Sequence, residues 1–316
     1  MIMLYEIDKI NGNVAFNEEF HKYWNVKNPE YQYTSITTLI GKYHQKFDEE
    51  YWSRKKAMDA ILDKDKEKLA MFKAKVKSAK VWHSDFNLSF GVSEELLESK
   101  RQEIIAEWRR INKESTDFGS AYHLEQENMW YDKGNTLVKD PELVLPVKGD
   151  FDCIKHNFDL TRDKAIIPEF LIYYTCPKKI LHLAGQVDLL IKDGNDIYIL
   201  DYKTNKDGIK KTAFFDTSTK QSQKMFYPIN NMLDTTYNHY NLQLSFYAWM
   251  IQKTYPHFNI KMLKLIHVTR QGKKTYYEVP YLKDECTRVL KHYRKKLMTQ
   301  REYENVEFEP VNLEND

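Results

Sequence analysis

The feature that most constrains this chain is a pair of short apolar runs, Val187 to Ile191 and Ile197 to Leu200, separated by Lys192-Asp193-Gly194-Asn195. Asp-Gly between apolar runs is a strong hairpin signal, because glycine accepts the left-handed backbone that tight turns demand. Two antiparallel strands are therefore expected. Gly185-Gln186-Val187-Asp188 leads into the first run, and Asp201-Tyr202-Lys203-Thr204 closes the second. Side chains two apart on a strand share a face, so Asp201 and Lys203 project together, and Asp188 on the neighbouring strand could meet them. Buried carboxylates and a lysine need partners, and a divalent cation is an obvious one. The arrangement points to metal-assisted phosphodiester hydrolysis.

The 316 residues suffice for one large domain or a core with an appendage, and 42% hydrophobic with 30% charged residues places the chain among globular proteins. No apolar run approaches the roughly 18 to 20 residues that span a bilayer. Met1-Ile2-Met3-Leu4-Tyr5-Glu6 lacks the basic start and long apolar stretch of a signal peptide. A cytoplasmic protein without a membrane partner is expected. Cys153, Cys176 and Cys286 are scattered, which argues against a disulfide framework, a zinc site of paired cysteines or an iron–sulfur cluster. The net charge of +2 is too small to argue nucleic-acid binding by itself; local clustering of Lys and Arg has to carry that.

Along the chain, Asn11-Gly12 between Tyr5-Glu6-Ile7 and Val14-Ala15-Phe16 reads as a hairpin. Thr34 or Ser35 is a helix N-cap candidate. Residues 47 to 80 are helical in composition and rich in lysine, with acids interspersed. A helix begins near Ser93 and passes Trp108; another is expected from about Asp117 through Trp130, followed by a connecting loop from Asn135 to Asp150. Strands are expected at Ile166 to Tyr174, Leu181 to Gly185, Val187 to Ile191 and Ile197 to Tyr202. A polar and aromatic insertion follows at 205–235, then a helix from Tyr237 to Tyr255, strands at Met262 to Thr269 and Tyr276 to Tyr281, and a basic helix around Glu285 to Met298. The acidic tail from Glu302 is expected to fray. The order describes a mixed α/β core with a helical N-terminal region.

A D-x-K triplet alone is common and is usually a surface ion pair. Three further features stand beside it. Gly119, His123 and Glu127 are four apart, on one helical face, so a helix crossing the sheet could lower His123 into a metal site. Gln243 and Tyr247 share one face of a later helix and could bind a phosphate or base. Pro168-Glu169-Phe170 precedes Gly185, and Glu169 could ligate a metal or orient a ligand. Two carboxylates suit a hard Mg²⁺ or Mn²⁺ ion, and a lysine beside it could position water and neutralise developing charge. In the insertion, Lys206, Lys210, Lys211, Lys220 and Lys224 alternate with Phe214, Phe215, Phe226 and Tyr227, a composition suited to single strands, where rings stack on bases and lysines meet phosphates.

The ordered set G-x-x-x-H-x-x-x-E, P-E, G-x-x-D, D-Y-K-T and Q-x-x-x-Y, over residues 119 to 247, resembles the RecB-like branch of the PD-(D/E)XK nucleases. Phe20-His21-Lys22-Tyr23 and Tyr33-Thr34-Ser35-Ile36-Thr37 are similar to the opening of phage-type exonucleases related to the mitochondrial genome maintenance exonuclease. The resemblance implies a restriction-endonuclease-like α/β core of order αβββαβ. It divides the chain into an N-terminal hairpin and lysine-rich helical region over 1–110, which could arch over the site, and a nuclease core over 111–316. It makes His123, Asp188, Asp201 and the Tyr202 carbonyl metal ligands and Lys203 the catalytic lysine. Gln243 and Tyr247 become substrate-side residues, with Glu127 and Glu169 accessory. The function implied is a Mg²⁺- or Mn²⁺-dependent exonuclease acting on single-stranded DNA ends, with a helicase or recombinase as a possible partner. An endonuclease acting on flaps or RNA, or a silent nucleic-acid-binding module, are the alternatives. The cysteines that clamp the iron–sulfur cluster of some members are missing, as is a Walker A loop.

Overall fold

Turn chemistry and strand period account for most of the backbone. The computed structural model describes residues 6–78, 82, 85–132, 151–178, 180–216 and 219–304. The expected loop at 135–150 and the tail from 305 lie outside the described residues, as does Tyr5 of the first expected strand. Four short strands open the chain: β1 (Lys9–Asn11), β2 (Val14–Asn17), β3 (Lys22–Asn25) and β4 (Gln32–Ser35). Gly12 takes φ +58° in the β1–β2 turn, as Asn-Gly predicts. Ser35 caps α1 (Ile36–Ile40), its hydroxyl accepting from the Thr38 N–H.

The lysine-rich segment folds as α2 (Glu49–Ile61) and α3 (Lys66–Ser78), followed by α4 (Glu94–Asp132). Two helices were expected where α4 runs as one of 39 residues. Its sequence holds no proline and a single glycine, Gly119, so nothing stops it. The helix passes without a break through the boundary expected at 110/111. Its first half packs on α2 and α3 through a separate core that includes Met58, Phe72 and Leu97. Arg54 joins Glu50 on α2 to Glu94 on α4, at 2.5 and 2.6 Å.

The remaining elements are β5 (Lys164–Thr175), β6 (His182–Asp193), β7 (Asp196–Lys203), the two-residue strands β8 (Phe215–Asp216) and β9 (Gln221–Ser222), α5 (Thr236–Thr254), β10 (Asn259–Val268), β11 (Lys274–Glu278) and α6 (Lys283–Glu304). Among the described residues the main sheet has nine strands, in the order β1-β2-β3-β4-β6-β7-β10-β11, with β5 on the other edge of β6. β7 and β10 are parallel, while β5–β6, β6–β7 and β10–β11 are antiparallel. This is a mixed α/β sheet of the restriction-endonuclease-like kind, and β4 pairs into it through Leu183 and Ala184 of β6.

One sheet face is covered by α5, with α1 and α6 beside it; every residue of α5 from Asn241 to Ile251 is buried, which marks it as the central helix. The second half of α4 covers part of the other face through Tyr122, Met129 and Trp130. The two strands expected at Leu181–Gly185 and Val187–Ile191 are one strand, β6, that changes partner midway. Among the described residues no helix is long and apolar enough to cross a membrane.

Candidate active site

The site is a fork between two strands. β6 pairs with β7 from Asp193↔Asp196 to Leu189↔Leu200, and with β4 only at Leu183 and Ala184. Asp188 and Asp201, next in register, are where β6 and β7 part. There the Asp188 carboxylate accepts the Tyr202 N–H at 2.6 Å, so a side chain takes the place of the missing ladder partner. On its other edge β7 stays paired with β10 through Lys203↔His267, which holds Asp201 and Lys203 on a rigid strand while the β6 side opens.

The alternation of side chains skips a beat at the fork. On β5, Ala165 and Ile167 face the same core as Phe170 and Ile172; on β6, Leu183 and Val187 face the same core as Leu190. A strict period of two would forbid both. The inversions fall at Glu169 and Asp188, which lie opposite each other between the pairs Pro168↔Leu189 and Phe170↔Val187. Glu169 carries the kink, with φ +48°, a left-handed conformation costing about 1–3 kcal/mol in a non-glycine residue. Both carboxylates thereby reach the His123 ring on α4. Its Nδ1 lies 3.7 Å from Glu169 Oε1 and 3.5 Å from Asp188 Oδ2.

Asp201 and Lys203 continue the face of Ile197 and Ile199 and meet α5. Lys203 Nζ is 2.5 Å from Asp201 Oδ2 and 4.7 Å from the centre of the Tyr240 ring. Gln243 Nε2 donates to Asp201 Oδ1 at 3.4 Å and to the Tyr247 hydroxyl at 3.0 Å. The Tyr247 ring lies against Gly185, where a Cβ would come within 2.6 Å of Cε1. A glycine three residues before Asp188 is thus a packing requirement. Gly119 is tight more mildly, since a Cβ there would stand 3.1 Å from Thr204 Oγ1.

Burial dominates the electrostatics. It pushes the Asp201 carboxyl up to about 6, with the Asp188 charge adding to it and Lys203 opposing. Asp188 is raised for the same reason, against the pull of His123. The Asp188 charge in turn raises His123 to about 9. Burial works against the Lys203 ammonium, but Asp201 and Asp188 outweigh it and hold it above its ordinary value. The acids crowd one small volume and lean on His123 and Lys203 for countercharge.

The family model of the PD-(D/E)XK nuclease superfamily matches residues 38–313. The chain belongs to that superfamily. Its members act on nucleic acid and use divalent metals. The crystal structure of SSO0001 is similar at 17% identity over 43% of this chain and half of that one, with a TM-score of 0.25. No curated protein matches this chain.

The donor set at the fork fits a divalent cation. One ligand atom each from His123, Glu169 and Asp188 lie within 4.8 Å of one another, on half-buried residues, and an imidazole with two carboxylates is a donor set such an ion accepts. Glu127 stands outside that trio. It accepts from the Tyr131 hydroxyl at 3.3 Å and lies 3.8 Å from Lys9 Nζ, which is equally far from Glu169. Gln243 lines the cleft. Tyr247 is 3% exposed, its hydroxyl engaged by Gln243.

Two features had no sequence signal. Lys9, on a strand some 160 residues away from Glu169 in the chain, is buried as the cation between two glutamates. The second is a hollow of about 560 Å³ between α2 and α4, lined by Phe47, Trp52, Lys56, Trp108 and Arg109. It shares Ser115 with the cleft at the fork, of about 350 Å³. Phe47 meets Trp108 edge-on at 5.4 Å, and Lys56 lies 5.5 Å over the Trp108 ring. Trp108, Ser115, Gly119 and His123 recur at helical spacing, so one face of α4 joins hollow to site. Aromatic residues of the insertion are exposed as well, Tyr227 most of all at 69%.

Proposed function

We propose that this nuclease is a Mg²⁺- or Mn²⁺-dependent DNA exonuclease that works on single-stranded ends, in repair, recombination or replication. The observation that carries the reading is the fork itself, where Asp188, Asp201 and Lys203 converge from two strands and His123 arrives from α4. His123, Asp188, Asp201 and the Tyr202 carbonyl would hold the ion, with Glu169 beside them. When bound, the ion would make water nucleophilic near neutral pH and offset charge on the phosphoryl oxygens.

The rest falls to the chain's own side chains. Lys203, kept cationic by two carboxylates, presents an ammonium that orients water and meets the charge developing on the scissile phosphate. Gln243 holds Asp201 in place and turns its amide to the cleft, while Tyr247 acts through Gln243. Single-strand preference is supported by the aromatic and cationic hollow, because unpaired bases stack on exposed rings and a duplex cannot offer them. The lysine-rich helices would form the passage that favours ends.

The test is digestion of an end-labelled single strand with Mg²⁺, Mn²⁺ or EDTA, by the wild type, Asp201→Ala and Lys203→Ala. Cleavage should need metal and both residues. Activity that survives EDTA and both substitutions overturns the mechanism. Equal cutting of circular and linear single strands removes the requirement for an end.

A further inference from the structure

A second cluster of histidine and carboxylate lies at the start of α5, away from the fork. His44 follows α1, Asp234 ends the insertion, and His239 lies in the first turns of α5. One ligand atom from each sits within 4.8 Å of the others. His239 Nε2 is 2.7 Å from Asp234 Oδ1. The two imidazoles stack with centroids 4.2 Å apart and planes 26° apart.

The surroundings are those of a ligand set held in advance. The Asp234 carboxylate is almost wholly buried, with 7% of its side chain exposed. Its Oδ2 accepts the Gln45 N–H at 3.1 Å and Gln223 Nε2 at 2.8 Å, which fixes its orientation and leaves Oδ1 turned to the histidines. Nδ1 of His44 lies 3.0 Å from the Gln45 carbonyl oxygen. A carbonyl can only accept, so Nδ1 is the donor in this contact. Metal-bound histidines are oriented in this way, through the second ring nitrogen.

We propose that His44, Asp234 and His239 form a binding site for a transition-metal ion of the Zn²⁺ class, separate from the catalytic site. Two imidazoles and one carboxylate suit zinc and its neighbours, whereas Mg²⁺ and Mn²⁺ prefer the oxygen-rich fork. Zinc–ligand bonds of about 2.0–2.2 Å place tetrahedral donors roughly 3.4 Å apart, so His239 and Asp234, 2.7 Å apart without the ion, would open slightly around it, with water completing the shell. The ion would clasp two segments far apart in sequence: the turn after α1, and the junction where the insertion runs into α5. Backbone bonds already run the same way, from the Phe226 N–H to the Tyr43 carbonyl at 2.7 Å and from the Asp234 N–H to the Gln223 carbonyl at 3.0 Å. Tyr240 and Gln243 follow His239 on the same helix, so the clasp steadies the wall of the catalytic cleft.

The test uses the full chain with Asp188→Asn and Asp201→Asn, which weakens the catalytic site and leaves the cluster intact. After chelator treatment this protein should take up one tight equivalent of Zn²⁺, counted by atomic emission after gel filtration. It should give the visible bands of low-coordinate Co²⁺ when cobalt is used instead, and its melting temperature should rise by roughly 5 °C in Zn²⁺. Adding His44→Ala and His239→Ala should weaken uptake at least 100-fold and remove the bands and the shift. Asp234→Asn, a milder change, should weaken uptake roughly 10- to 100-fold. Absence of any Zn²⁺ equivalent in the first protein overturns the site whatever the variants do, and leaves a His–Asp ion pair only. So does uptake that persists unchanged without the two histidines. Neither outcome touches the nuclease reading, which rests on the digestion assay.

Discussion

The fork and the clasp are built from the same residue types and differ in what carries them. At the fork, Asp188, Glu169 and Asp201 stand on strands paired into the sheet, and His123 is lowered onto them by a long helix. In the clasp, His44 and Asp234 stand on connecting segments and only His239 belongs to a regular element. The fork is rich in oxygen and supplied with a lysine; the clasp is rich in nitrogen and has no lysine among its described contacts. Position in the fold separates the two groups: one stands where strands of a rigid sheet part, the other where connecting segments meet a helix. The cleft at the fork shares Ser115 with an aromatic hollow, and the clasp has no such neighbour among the described residues that line those two cavities.

The largest expected contrast is in cleavage. Lys203→Ala should slow digestion of a single strand by about 100- to 1000-fold, the range found when one charge-stabilising donor is removed from a site. His239→Ala should slow it less than about tenfold. A loss from His239→Ala as large as that from Lys203→Ala would break the contrast between the regions.

The second prediction concerns pH. His123 is raised to about 9, so at pH 7 it carries a proton that a metal ion must displace. Asp201, raised to about 6, is ionised above that point. Mn²⁺ affinity at the fork should therefore rise about tenfold per pH unit between roughly 6 and 9 and then level off, one proton leaving per ion bound. Electron paramagnetic resonance titrations of free Mn²⁺ give the slope, and a flat profile between pH 7 and 9 rules out His123 as the displaced group. The slope should survive His44→Ala, which lies outside the fork.

Smaller effects test the hollow and the start of α5. Trp108→Ala should weaken binding of a single strand to Lys203→Ala protein by about 1–3 kcal/mol, the worth of one base stacked on a ring, as read by fluorescence anisotropy. Duplex binding should change little. Thr235 caps α5 by accepting the Asn238 N–H at 3.1 Å, beside Asp234 of the clasp. Thr235→Ala should cost about 1 kcal/mol in a denaturant melt. A cost well beyond that would mean the clasp and the cap fail together.

Much of the fork was legible because its signals are local. Asp193-Gly194 marked the turn, the period of two placed Asp201 with Lys203, and a four-residue spacing put Gly119 in line with His123. The course of α4 and β6 was less so. Trp130 and Trp108 belong to one helix, because a lone glycine does not break a helix that tertiary packing supports. β6 reads as two strands because its partner changes at the fork, which no residue within it announces. Glu169 was a weak candidate on sequence; the inverted alternation that turns it beside Asp188 depends on two strands kinking together.

The sequence alone determined the hairpin, the acid–lysine triplet and the order of the elements that carry it, since turn chemistry and side-chain period act within a few residues. Only the tertiary structure decided that Lys9 stands between Glu127 and Glu169, that Tyr247 packs on Gly185, and that His44 faces Asp234 across 190 positions of chain. Those meetings come from burying apolar faces on both sides of one sheet, and that force sets which distant segments touch without leaving a pattern in either of them.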